Sequence, residues 1–166
     1  RYSDDLFLKK FDDCRVKIIF IDKNYNSKLT QIIFLRWFLN KYEIEIVQSY
    51  LSGDNIFCSL ITIGKSAKHI SGSRGDYGNP VFKRTVFQKL KDYFSWFLSD
   101  AIVSNNECGI KYLTSLPLIS KEKVVFIPNG IELGKDYSQT KYSNVIGCLS
   151  NFWQYKNHNT LIEAYV

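Results

Sequence analysis

The stretch SNFWQYKNHNTLIEA, residues 150–164, sets a single ammonium, Lys156, among Phe152, Trp153 and Tyr155, immediately before a helical pattern. A helix start exposes unpaired backbone N–H groups at the positive end of the helix dipole. A lysine beside it completes a pocket suited to an anion such as phosphate. The plainer alternative is a solvated surface charge near a helix start. A second stretch with chemical potential is GSRGDYGNP, residues 72–80, the richest turn-forming run in the chain, which carries Arg74 and Asp76 between glycines. An Arg-Gly-Asp of this kind is often only a solvated turn. A third is Asn129-Gly130, a pair suited to a tight turn after an apolar run. His69 lies inside an apolar segment and reads as a satisfied, partly buried histidine, and His158 reads as a packing or capping residue. Ser49-Tyr50, at the end of a short apolar run, fits the edge of a cleft.

The elements that must position these residues alternate strand with helix. Arg15–Ile21, β-branched and bounded by charge, predicts a strand, and residues 27–40 predict a helix. Strand 45–49, helix 54–64 and a weaker strand 68–72 follow, the last running into the loop 72–80. Beyond Pro80 a long helix is expected to end near Leu98. Phe82, Val86, Leu90, Phe94 and Phe97 form its apolar stripe, and Lys83, Arg84, Lys89 and Lys91 its wet side. Strand 100–104, helix 106–114 and strand 123–127 complete the run, and residues 145–149 start a new strand. Alternation of this kind implies a parallel sheet covered on both faces. Ligands of such sheets bind beyond the carboxyl ends of the strands, where the loop 72–80 lies.

The chain has 166 residues, 45% hydrophobic and 23% charged, as in an ordinary globular protein, with a high aromatic share of 16%. Its formal net charge of +6 favours anionic partners without choosing among nucleic acid, lipid head groups and phosphorylated small molecules. Cys14, Cys58, Cys108 and Cys148 are far apart, with no CxxC pair, which speaks against a zinc site or a disulfide framework and fits a reducing compartment. No apolar run reaches the ~20 residues needed to span a bilayer. The chain lacks Met, opens on Arg1 and closes in mid-pattern, so it is expected to be a fragment.

Three pieces in order resemble the family 4 retaining glycosyltransferases of the GT-B fold: SDAIVSN at 99–105, KEKVVFIPNGIE at 121–132, and VIG at 145–147 running through Lys156 to LIEA at 161–164. The resemblance is good over roughly the last 70 residues and looser before them. It implies an α/β fold, a parallel-sheet Rossmann-like domain of a GT-B glycosyltransferase with the first strand and helix of a second Rossmann-like domain. Residues 1–134 would be the acceptor-side domain without its first strand, 135–143 a connector, and 144–166 the start of the nucleotide-sugar domain. The expected reaction is retaining transfer of a sugar from a nucleotide-diphosphate donor to a saccharide or lipid-linked acceptor, in polysaccharide or glycolipid biosynthesis.

The resemblance also implies roles. Lys156 would contact the donor diphosphate. Asn151 replaces the arginine that many members carry five positions earlier and could hydrogen-bond phosphate or ribose. Asn129 and Gly130 would lie at the cleft floor near the donor, and Arg74 and Asp76 are the candidates for facing acceptor and donor sugar. No cofactor and no metal are expected, so cationic side chains and a helix N-terminus would have to stabilise the leaving phosphate. The setting would be cytoplasmic, with peripheral contact at an anionic inner membrane face through the basic, aromatic helix after Pro80. No nucleic-acid partner is expected, since the basic residues are dispersed and no recognition motif is present. The family's Gly-rich loop and its Glu-x7-Glu pair fall outside the chain, so the fragment alone is expected to be inactive. A non-catalytic GT-B-like partner subunit that recognises acceptor or membrane is the alternative. Donor sugar, nucleotide base, acceptor and linkage are not legible here.

Overall fold

The computed structural model describes residues 16, 18, 21, 27–75, 84–130, 147–150, 152 and 156–165. In chain order the elements are α1 (Lys28–Lys41), β1 (Ile46–Ser49), α2 (Ser52–Thr62), β2 (Lys68–Ser73), α3 (Val86–Leu98), β3 (Ala101–Ser104), α4 (Glu107–Ser115), a single 3₁₀ turn (Lys121–Lys123), β4 (Val124–Phe126) and α5 (His158–Tyr165). The strand expected over 15–21 falls largely outside the described residues. Of the strand expected over 145–149, only 147–149 are described, and these three form no strand.

Three of the described helices begin where side chains cap them. Ser27 accepts from Thr30 N–H at the start of α1, and Asn106 accepts from Gly109 N–H at the start of α4. Thr85 and Gln88 form a reciprocal capping box. That box makes Val86 the first residue of α3, later than the pattern after Pro80 suggests. Arg36 of α1 closes the other end of α2: its guanidinium donates to the carbonyls of Leu60, Ile61 and Ile63 at 3.1, 3.2 and 2.8 Å.

The four strands form one parallel sheet in the order β1-β2-β3-β4. Each right-handed crossover therefore steps in the same direction, which delivers successive helices to one face of the sheet. On that face Val47 packs with Leu39, Ile61 and Ala67, while Ile102 and Val124 pack with Trp96, Leu113 and Ile119. The opposite face carries Ile46, Gln48, Ile70, Ala101, Val103 and Val125, all partly or largely exposed. The sheet is thus covered on one face among the described residues, not on both. A doubly wound sheet needs strands wound in the other direction to cover its second face, and the described strands contain no such step.

The expected apolar stripe of α3 also has to be corrected. Val86, Leu90, Phe94 and Phe97 face outward, with Val86 at 74% exposure, and Phe82 lies outside the described residues. The buried face is Asp92, Ser95 and Trp96, continued by Ser99. A polar face turns inward because the sheet beneath it is polar: β2 presents His69, Ser71 and Ser73, all fully buried. Asp92 is neutralised there by Arg84, to which it is ion-paired, and it also accepts from the Ser52 hydroxyl.

The SDAIVSN segment has a structural role. Asp100 accepts from His69 N–H at 2.9 Å and from Lys68 Nζ at 3.0 Å, tying the start of β3 to β2. Burial works against its charged form. The His69 N–H, the Lys68 ammonium and the charge of Lys123 outweigh that, and hold the carboxyl below its ordinary value.

Candidate functional site

A cleft of about 190 Å³ opens at the carboxyl ends of the four strands. Each strand contributes the residues at or just past its end: Gln48 and Tyr50 from β1, Gly72 and Arg74 from β2, Val103 and Asn105 from β3, and Ile127 to Gly130 from β4. This is where parallel α/β sheets bind ligands, because helix starts and loops converge there while the strand interiors are filled. The volume lies below the ~300–1,000 Å³ that drug-sized ligands fill, so the cleft fits a single sugar ring or a phosphate group.

Close backbone approach shapes its floor. A Cβ on Gly72 would lie 2.9 Å from Ser49 O, 3.1 Å from Tyr50 Cα and 3.4 Å from Tyr50 Cδ1. Glycine is required there so that the ends of β1 and β2 can close and the Tyr50 ring can lie against β2. Arg74, two residues on, stacks over the same ring, its guanidinium carbon 4.5 Å from the ring centroid. On the other side, Asn129 Oδ1 accepts from Asn105 Nδ2 at 3.3 Å, and Asn105 Oδ1 accepts from Asn106 Nδ2 at 3.2 Å.

Beneath the cleft lies a buried polar network. Ser49 Oγ donates to Asn55 Oδ1 at 2.7 Å, and Asn55 Nδ2 donates to the Gly72 carbonyl at 2.9 Å. Ser49 Oγ has then spent its proton, so His69 Nε2, 2.8 Å away, is the donor to it. His69 Nδ1 lies 3.2 and 3.1 Å from the hydroxyls of Ser59 and Ser99, which themselves donate to the carbonyls of Asn55 and Ser95. Burial lowers the imidazole pKa to about 4 against the smaller opposing pull of Asp100. His69 is buried and satisfied, and it braces β1 and β2 from below without entering the cleft.

Of the residues singled out in the sequence, Arg74, Asn129 and Gly130 come together in this cleft, joined by Tyr50. Gly130 carries no left-handed φ, and a Cβ there would meet open space, so up to this residue no tight turn demands a glycine. Lys156 is exposed and is not among the lining residues. It stands just before α5, and Asn157 between them has φ +53°. His158, the first residue of α5, packs its ring 5.1 Å from that of Phe152 and lies 3.2 Å from Ser150 Oγ through Nε2, a packing role. Asp76 and Asn151 lie outside the described residues. Gln48 and Asn105 were missed in the sequence. A polar residue inside β1, pointing to the face opposite Ser49, was the available signal for Gln48, but only the sheet register brings it beside Gly72 and Val103.

No protein-family model and no curated protein sequence matches the chain. Among solved structures it is similar to a glycosyltransferase from Rickettsia africae ESF-5, with a TM-score of 0.51 and 17% identity. The likeness is one of fold. It joins the four-stranded parallel sheet to a Rossmann-like α/β layer. The match covers 75% of this chain and 32% of that one, so the chain spans about a third of the similar structure's length.

Proposed function

We propose that the chain is the acceptor-side domain, with the opening of the nucleotide-sugar domain, of a retaining GT-B glycosyltransferase of the family 4 type. The observation that carries this reading is the cleft at the strand ends, which gathers Arg74, Tyr50, Asn129 and Gly130 on a fold similar to that of a glycosyltransferase. The three sequence pieces that resemble the family support it further.

In the transfer, an acceptor hydroxyl oxygen bonds to the donor's anomeric carbon as the bond from that carbon to the diphosphate oxygen breaks. The hydroxyl proton is released, and negative charge collects on the leaving nucleoside diphosphate. Stabilising that charge falls to Lys156 and the helix start behind it, helped by Asn151, five positions earlier in the sequence, with no metal or cofactor required. The acceptor, a saccharide or lipid-linked sugar, occupies the strand-end cleft. Lys156→Ala in the complete protein is expected to lower release of nucleoside diphosphate from the donor by ~10²-fold, the usual cost of a lost transition-state charge contact. Turnover within about twofold of wild type would sink the phosphate role of Lys156. Absence of turnover in the wild-type protein with any nucleotide-sugar would favour the non-catalytic subunit instead.

Peripheral membrane contact belongs to the same reading. Val86, Phe87, Leu90, Phe94 and Phe97 project from α3, with Lys89 and Lys91 on the same helix, a combination suited to an anionic membrane surface. No described helix is long and apolar enough to cross a membrane. Co-sedimentation with phosphatidylglycerol vesicles is expected to exceed that with phosphatidylcholine, and Phe87→Ser with Phe94→Ser to reduce it about fivefold or more. Equal sedimentation of variant and wild type would remove α3 as the contact.

A further inference from the structure

We infer that the strand-end cleft selects an acidic acceptor, a sugar bearing a carboxylate or phosphate that Arg74 engages; this rests on the reading of the cleft as an acceptor site. The described lining holds one cation and no carboxylate. The ion pairs of the described residues, Lys68–Asp100 and Arg84–Asp92, do not involve Arg74, which is joined to no acid there. Its guanidinium is oriented all the same. Its guanidinium carbon lies 4.5 Å from the centroid of the Tyr50 ring, which holds it at the cleft. No described residue accepts from its N–H groups, which suits them to a planar, bidentate oxyanion, the geometry in which arginine differs most from lysine.

The rest of the cleft agrees with this polarity. Asn129 spends its Oδ1 on Asn105, which leaves the Asn129 amide N–H groups to donate into the cleft. Asn105 spends its own oxygen on Asn106. Both oxygens thus already hold one donor each, and the Asn129 amide N–H groups suit a ligand rich in acceptor atoms. Gln48 and the Tyr50 hydroxyl can serve the neutral hydroxyls of the same ring, and Val103 and Ile127 offer it an apolar edge. A cleft of about 190 Å³ holds one such residue, so selection acts on the terminal sugar of the acceptor.

The same oxyanion chemistry could come from the donor's diphosphate, and the test separates the two sources. Binding of methyl glucuronide, methyl glucoside and inorganic pyrophosphate to the complete protein is measured by calorimetry for wild type, Arg74→Gln and Arg74→Lys. Arg74 is exposed, so unchanged thermal unfolding serves as the folding control. The expected result is that glucuronide binds more tightly than glucoside, and that Arg74→Gln weakens glucuronide about tenfold or more while leaving glucoside alone. Arg74→Lys should recover only part of that loss. Loss of pyrophosphate binding alone overturns the acceptor assignment in favour of the donor. Equal affinity for glucuronide and glucoside, unchanged by Arg74→Gln, overturns the inference and leaves the acceptor cleft standing. Failure of both glycosides to bind the wild-type protein overturns the acceptor cleft itself, and the inference with it.

Discussion

Arg84→Ala is expected to destabilise the fold by about 3–5 kcal/mol, read as a fall in the urea midpoint at unchanged slope. Asp92, whose side chain is 2% exposed, is the reason. Its carboxylate pairs with Arg84, which precedes α3, and with the Ser52 hydroxyl at the start of α2. Removing the guanidinium leaves a buried charge with one neutral donor, and the desolvation already incurred is no longer offset. The pair itself need not be worth that much. Replacing both residues, Arg84→Met with Asp92→Leu, removes charge and countercharge together and is expected to recover most of the loss. If the single change cost under 1 kcal/mol, or the double change cost as much as the single, the ion pair would not be what allows α3 to turn a polar face inward.

The second large effect is on pH. His69 has a pKa of about 4 in the folded chain against an ordinary value of 6.5, because burial disfavours its charged form. Between these values the unfolded chain binds the extra proton and the folded chain does not, so stability rises with pH across that window. The contribution is complete above pH 6.5, falls as the pH drops towards 4, and reaches roughly 3 kcal/mol at full extent. Urea midpoints for wild type should therefore decline from pH 6.5 to 4, and those of His69→Gln should be flatter over the same range whatever its absolute stability. Parallel profiles for the two proteins would show that His69 does not carry the dependence. Asp100 acts in a different window: its carboxyl is held below the ordinary value, so its contribution is lost only on further acidification. The groups facing the imidazole are the hydroxyls of Ser49, Ser59 and Ser99, with the Asp100 carboxylate bound to the His69 backbone.

The sequence pattern and the structure agree where local physics decides. Short β-prone runs such as Ile46–Ser49 and Ala101–Ser104 form strands as expected, and Ser27 and Asn106 mark helix starts through hydrogen bonds three residues away. The parallel order follows from the alternation, and the order in turn sets the strand-end position of Arg74 and Asn129. These features were readable from the chain because each rests on neighbours within a few residues.

What was not readable rests on distant partners. The apolar spacing of Val86, Leu90, Phe94 and Phe97 pointed inward, but the inward face of α3 is Asp92, Ser95 and Trp96, because β2 offers it serines and a histidine. Helical periodicity identifies a stripe and cannot say which face meets a sheet whose own buried face is polar. His69 could be assigned as satisfied, but its partners Ser49, Ser59 and Ser99 reach it only through the fold. Asn105, Asn129, Tyr50 and Arg74 lie up to 79 positions apart in the chain, and strand register alone makes them one surface. Tertiary structure decided the cleft because a parallel sheet collects the ends of separate strands at one edge, where side chains remote in sequence share one volume.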